Sequence, residues 1–189
     1  MRKSSIVLSI LALVLFVLLI WQWSSKNYYF SQMDIVGRYN AQLGMLSGIG
    51  PLRSAHIHTD IKVYMNGKPI DFSQRKYQLA TDYIHFEEGI GDVIHIHAKG
   101  LTVGNMLNSL GIRPIGQCLV FEGRDYCDEG NKTLKFYVNG KETSGFEIYV
   151  MKDLDKLLIS YGFESEDAIK KQLSSITNLS PKYSGENEE

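Results

Sequence analysis

The chain's five histidines all lie between positions 56 and 97, and each sits on the polar side of a stretch that alternates as a β-strand does. In Ala55-His56-Ile57-His58-Thr59-Asp60-Ile61-Lys62-Val63, the apolar Ile57, Ile61 and Val63 share one parity. His56, His58, Asp60 and Lys62 share the other. His85 and Glu87 stand opposite Ile84 and Phe86 in the same way, and His95 and His97 opposite Ile94 and Ile96. Residues two apart on a strand are about 6.5–7 Å apart at the backbone, so both imidazoles of a His-x-His pair can lean toward one divalent ion. If the three strands share a sheet, its outer, solvent-facing side gathers the donor set of a zinc or copper site. The nearest carboxylates in sequence are Asp60, Glu87 and Asp92, as ligands or as acceptors for imidazole N–H groups. Their ordinary alternative is a solvated strand or turn residue, favoured for Asp92 by the turn-like Gly89-Ile90-Gly91 before it. Exposed strand faces also accept histidine readily, so a face that only responds to pH fits the same pattern.

The elements that would position these residues follow a membrane anchor. Residues 5–23 are apolar apart from Ser5, Ser9 and Gln22, long enough as a helix to cross a hydrocarbon core of about 30 Å. Arg2 and Lys3 precede the run, and Trp21, Trp23, Tyr28 and Tyr29 suit the far interface. This predicts residues 1–4 inside and the remainder outside the cytoplasm, in a single-pass cell-membrane protein. A cleaved signal peptide is the alternative, disfavoured by the length of the run and the lack of a small-x-small site before the Trp pair. Without Arg2 and Lys3, 18 basic residues face 21 acidic ones, a formal charge of −3 for the outer part. No basic patch argues for nucleic acid.

Residues 24–53 read as a stalk with one short helix around 34–46, because Gly37, Gly44, Gly48, Gly50 and Pro51 interrupt scattered apolar residues. An internal repeat organises the rest. Residues 54–112 run through Val63-Tyr64-Met65-Asn66-Gly67-Lys68, a strand at 83–88, Asp92 to His97, Gly100 and a helix from Thr102. Residues 134–179 return to the same order. They run through Phe136-Tyr137-Val138-Asn139-Gly140-Lys141, a strand at 146–150, Asp155 to Ser160, Gly162 and a helix from Glu166. Each Asn-Gly is a hairpin signal, and Thr102 and Ser165 are suited to cap the two helices. The fold class is α+β: a transmembrane helix followed by a duplicated β-β-β-α, β-grasp-like domain. Leu158 and Ser160 replace His95 and His97 in the second half, so that strand does not need imidazoles to form. Residues 180–189 read as a disordered acidic tail.

Residues 113–133 form the linker between the halves and contain the only cysteines, Cys118 and Cys127, flanking a hairpin through Glu122-Gly123-Arg124-Asp125. Outside the cytoplasm a structural disulfide is the default. A thiol–disulfide redox role is disfavoured, because the spacing is wider than Cys-x-x-Cys and the surroundings are strand-like. No Gly-x-Ser-x-Gly elbow or phosphate-binding loop supports a serine hydrolase or a nucleotide-binding protein. Asn131-Lys132-Thr133 and Asn178-Leu179-Ser180 are glycosylation sequons.

Three blocks carry a resemblance: Lys62-Val63-Tyr64-Met65-Asn66-Gly67-Lys68-Pro69-Ile70-Asp71-Phe72-Ser73, His95-Ile96-His97-Ala98-Lys99-Gly100-Leu101-Thr102-Val103-Gly104, and Asp153-Leu154-Asp155-Lys156-Leu157-Leu158-Ile159-Ser160-Tyr161-Gly162. Together they resemble uncharacterised, membrane-anchored microbial proteins with one extracytoplasmic domain, over roughly residues 55–176. The resemblance implies architecture and location, and no activity. Two function classes remain. One is a surface-anchored domain binding zinc or copper through His56, His58, His85, His95 and His97, for storage, delivery or hydrolysis. The other is an adhesion or assembly module for another envelope protein, with incidental or pH-sensing histidines.

Overall fold

The computed structural model describes residues 2–184. The chain divides into two compact units, one ending at Ser47 and one beginning at Gly48. The first is a single helix, α1 (Arg2–Ser47), about 69 Å long at 1.5 Å per residue. Its Ile10–Val36 stretch is long and apolar enough to cross a membrane. The helix overturns the short-helix stalk expected at 24–53, and it continues well past the expected anchor boundary at residue 23. Gly37 and Gly44 cost only about 1 kcal/mol each in a helix, and the first proline of the sequence is Pro51. The helix ends where Gly48 turns left-handed, with φ 74°.

The second unit is built on a mixed seven-stranded sheet. Its strands are β1 (Ile57–Met65), β2 (Lys68–Pro69), β3 (Ile84–His85), β4 (Val93–Ile96), β8 (Thr133–Val138), β9 (Lys141–Glu142) and β10 (Lys156–Gly162). The order is β3-β4-β1-β10-β8-β9, with β2 folded back on β1. Only β1 and β10 run parallel, in a register that sets Asp60 beside Lys156 and Met65 beside Tyr161. Both Asn-Gly hairpins form, with Asn66, Gly67, Asn139 and Gly140 all at positive φ. β5 (Arg113–Ile115), β6 (Cys118–Phe121) and β7 (Arg124–Cys127) make a separate three-stranded sheet from the expected linker. Cys118 and Cys127 pair directly across it, with sulfurs 2.10 Å apart.

One face of the large sheet carries the hydrophobic core. Ile61, Val63, Ile94, Ile96, Leu157 and Ile159 are buried there with Val103, Met106 and Leu107 of α2 (Val103–Ser109). α2 starts at a capping box, in which Thr102 accepts from the Asn105 N–H and the Asn105 side chain accepts from the Thr102 N–H. Ser165 caps α3 (Glu166–Ser174), which packs against β10. The two expected halves differ in their middle element. Residues 83–88 supply only the two-residue β3, and 146–150, expected to be extended, instead hold a 3-10 turn at Phe146–Ile148. That turn tucks Phe146 into the core next to Phe136.

The end of the chain departs most from expectation. Ser180–Ser184 form a short helix, α4, rather than a disordered tail, and Ser180 is buried. Hydrogen bonds to the Asp60 carboxylate of β1 hold the polar segment to the sheet. The rest of the expected tail, 185–189, lies outside the described residues.

Candidate functional site

β1, β4 and β3 are adjacent, with His58 opposite His95 and His85 opposite His95. Directly paired residues project to the same side of a sheet, so the histidines share one face. Their rings form a closed circuit. Centroids lie 4.8 Å apart for His56–His58, 4.6 Å for His58–His95, 5.9 Å for His95–His85, 5.1 Å for His85–His97 and 5.2 Å for His97–His56.

This face is not open to solvent, which corrects the outer-face expectation. His58 is 1% exposed, His95 4% and His85 9%. His97 is half-buried and His56 exposed at the rim. Tyr183 of α4 covers part of the circuit, its ring centroid 5.8 Å from His58 and 5.1 Å from His95. Burial pushes His58 down to about 4, helped by the neighbouring His95 and His56. His95 also falls to about 4 through burial, although Glu87 opposes the shift. Burial lowers His97 as well, reinforced by His85 and His56. Neutral imidazole is the form that binds metal.

The hydrogen bonds fix the tautomers of three rings. His85 Nδ1 lies 2.7 Å from the Thr81 carbonyl oxygen, which can only accept, so Nδ1 carries the proton. Ser184 donates its hydroxyl proton to Asp153 at 2.8 Å, so at 3.1 Å it accepts from His58 Nδ1–H. His95 Nδ1 lies 3.2 Å from Glu87 Oε1 and donates to that carboxylate. Each ring in its neutral form is left with Nε2 as a lone-pair donor. Tying the other ring nitrogen to a carboxylate, carbonyl or bridging group is how proteins orient metal-binding histidines.

One contact is chemically incomplete. His85 Nε2 stands 3.3 Å from Glu87 Oε2. With the His85 proton on Nδ1, both facing atoms are acceptors, so a proton or a metal cation belongs between them. Two ligands on a tetrahedral zinc, with bonds of about 2.0–2.1 Å, are themselves roughly 3.3 Å apart. Two imidazoles on such an ion place their ring centroids about 5 Å apart by the same geometry, within the spread found around the circuit. Among the described residues, no group of three or more His, Cys, Asp or Glu side chains is already arranged to hold a metal ion. Convergence on one ion therefore requires the rings to turn about their side-chain bonds.

The other carboxylates separate cleanly. Glu87 joins the histidines, whereas Asp92 pairs with Lys62 at 2.6 Å. Asp60 is fully buried rather than solvated, and accepts from Thr177 Oγ1, the Leu179 N–H, and the Ser180 N–H and hydroxyl. Sequence reasoning missed Thr81, Asp153, Tyr183 and Ser184. A lone aromatic, Tyr183, in an otherwise polar tail was the one signal that the segment docks.

No protein family, curated protein or solved structure matches the chain. The class defined by fold and site is therefore the physical one: an apolar N-terminal helix and an α+β unit on mixed sheets, with a half-buried imidazole cluster.

Proposed function

We propose that this is a single-pass, membrane-anchored protein whose extracytoplasmic domain binds a transition metal, zinc or copper, on the cluster of His56, His58, His85, His95 and His97. The carrying observation is the closed circuit of five imidazoles, three of them held through Nδ1, with His85 Nε2 facing the Glu87 carboxylate. Neutral nitrogen donors with one carboxylate suit zinc or copper(II) better than calcium or magnesium. Burial within a hydrogen-bonded face favours storage or delivery. Hydrolysis would need an open coordination position reached by substrate.

The orientation rests on Arg2 and Lys3 before the apolar run, and the Cys118–Cys127 pair fits an oxidising compartment. The repeated Asn-Gly hairpins and capped helices support descent from a duplicated β-grasp-like unit, as in the membrane-anchored microbial proteins the sequence resembles. Equilibrium dialysis of the full chain in detergent, purified without a polyhistidine tag, tests the metal reading. At least one equivalent of zinc or copper should bind, and a His58→Ala/His95→Ala variant should lose it. No retained metal overturns the reading and leaves envelope adhesion or assembly in its place. Protease shaving of intact cells should remove the domain, and its survival would overturn the orientation.

A further inference from the structure

Over β1 and the histidines, the polar face of the sheet is covered by residues 175–184, which join it through side chains rather than a strand ladder. Tyr64 of β1 meets Ser175 at 2.8 Å, where the segment begins. The main attachment is the Asp60 carboxylate, which takes the Leu179 N–H at 2.9 Å, the Ser180 N–H at 3.1 Å, the Ser180 hydroxyl at 2.6 Å, and the Thr177 hydroxyl. Farther along, Tyr183 lies on His58 and His95. Ser184 then links His58 Nδ1 to Asp153, and Asp153 also accepts the backbone N–H of His58 at 2.9 Å. A latch, an aromatic cover and a hydrogen-bond relay thus follow one another along ten residues, and the last two touch the histidines directly.

We infer that this segment is a strap coupled to the metal site, so that metal binding on the histidines and docking of residues 177–184 stabilise each other. The inference rests on the metal reading above. A cation on His58 Nε2 draws electron density from the ring, which makes Nδ1–H a stronger donor to Ser184. The docked Ser184 in turn holds the tautomer and ring angle that present Nε2. Such coupling is reciprocal: whatever factor the docked strap adds to metal affinity, metal adds to strap docking. Tyr183 also shields the His58–His95 pair from water and slows metal exchange. Asp60 bonds to Thr177, Leu179 and Ser180 rather than to a histidine among the described residues, yet it controls the site because it holds the strap.

Trypsin cleavage after Lys182, an exposed residue inside the strap, reads docking, and calorimetry with zinc reads binding, both on the untagged full chain in detergent. Zinc should slow that cleavage about tenfold. Asp60→Asn should weaken zinc binding by about tenfold, the low end for loss of a group that supports a metal ligand, and remove the protection. Ser184→Ala, which leaves the latch intact, should lower zinc affinity by a smaller factor and carries the test if Asp60→Asn does not fold. Zinc binding with cleavage unchanged or accelerated overturns the strap while the metal reading stands. An unchanged zinc affinity in Ser184→Ala also overturns it. Absence of zinc binding in the wild-type chain removes the metal reading, and the strap inference with it.

Discussion

The two faces of the large sheet are both buried, by different means. On one, Ile61, Val63, Ile94 and Ile96 meet α2 through apolar contact, which is non-directional and scales with area. On the other, His58, Asp60 and His95 are as well shielded from water, yet each is held by partners at defined distances. Apolar burial can be filled by any side chain of suitable size, whereas a buried polar group costs about 1–3 kcal/mol for each partner it loses. The first face stabilises the fold, and the second spends some of that stability on fixing the positions and protonation states of particular nitrogens.

The contrast is sharpest at Ile61. Ile61→Ala should cost about 2–5 kcal/mol by cavity formation, seen as a lower urea midpoint, with zinc affinity retained at temperatures where the variant is folded. Loss of zinc affinity in the folded variant would mean that the faces are not separable. The disulfide offers the same separation away from the sheet. Replacing Cys118 and Cys127 together by serine should cost roughly 2–3 kcal/mol in the chain-entropy model and leave metal binding unchanged. Free thiols in protein isolated under alkylating conditions would revive the redox alternative.

Acid should attack the polar face selectively. His58 and His95 titrate at about 4 in the folded protein and near 6.5 once unfolded, so between these values the unfolded chain binds more protons. Their contribution to the metal-free protein is complete above about pH 6.5 and is lost as the pH falls toward 4. The slope is up to about 1.4 kcal/mol per pH unit for each histidine. Urea midpoints at a series of pH values measure this, and a His58→Gln/His95→Gln variant should flatten the curve. The smallest effect belongs to His56, exposed at the rim. His56→Gln should shift stability by no more than about 0.5 kcal/mol and weaken zinc less than His95→Ala does, and an equal loss would place His56 at the centre of the site.

Much of this was legible from local pattern. The parity of His56, His58, His95 and His97 put them on one strand side, both Asn-Gly pairs made hairpins, and Thr102 and Ser165 capped their helices. The burial of the histidine face was not legible, because the cover comes from Tyr183 and Ser184, more than 120 residues along the chain from His58. Alternation distinguishes polar from apolar and says nothing of what later folds over the polar side. The stalk departs from its expected short helix for a related reason. Glycine weakens a helix without forbidding it, and only tertiary or membrane context decides between the outcomes.

The parallel pairing of β1 with β10 places the first and last strands of the domain side by side at the centre of the sheet. During synthesis, β1, β4 and the histidines they carry emerge well before residues 156–162, so β1 lacks its central partner until β10 follows. Contacts this distant in sequence form slowly, and until then the unpaired edge of β1 is exposed to other chains. A nascent chain would present its imidazoles uncovered and bury them only once Tyr183 and Ser184 had followed. Emergence of residues 175–184 would be the event that converts an accessible histidine face into a closed one.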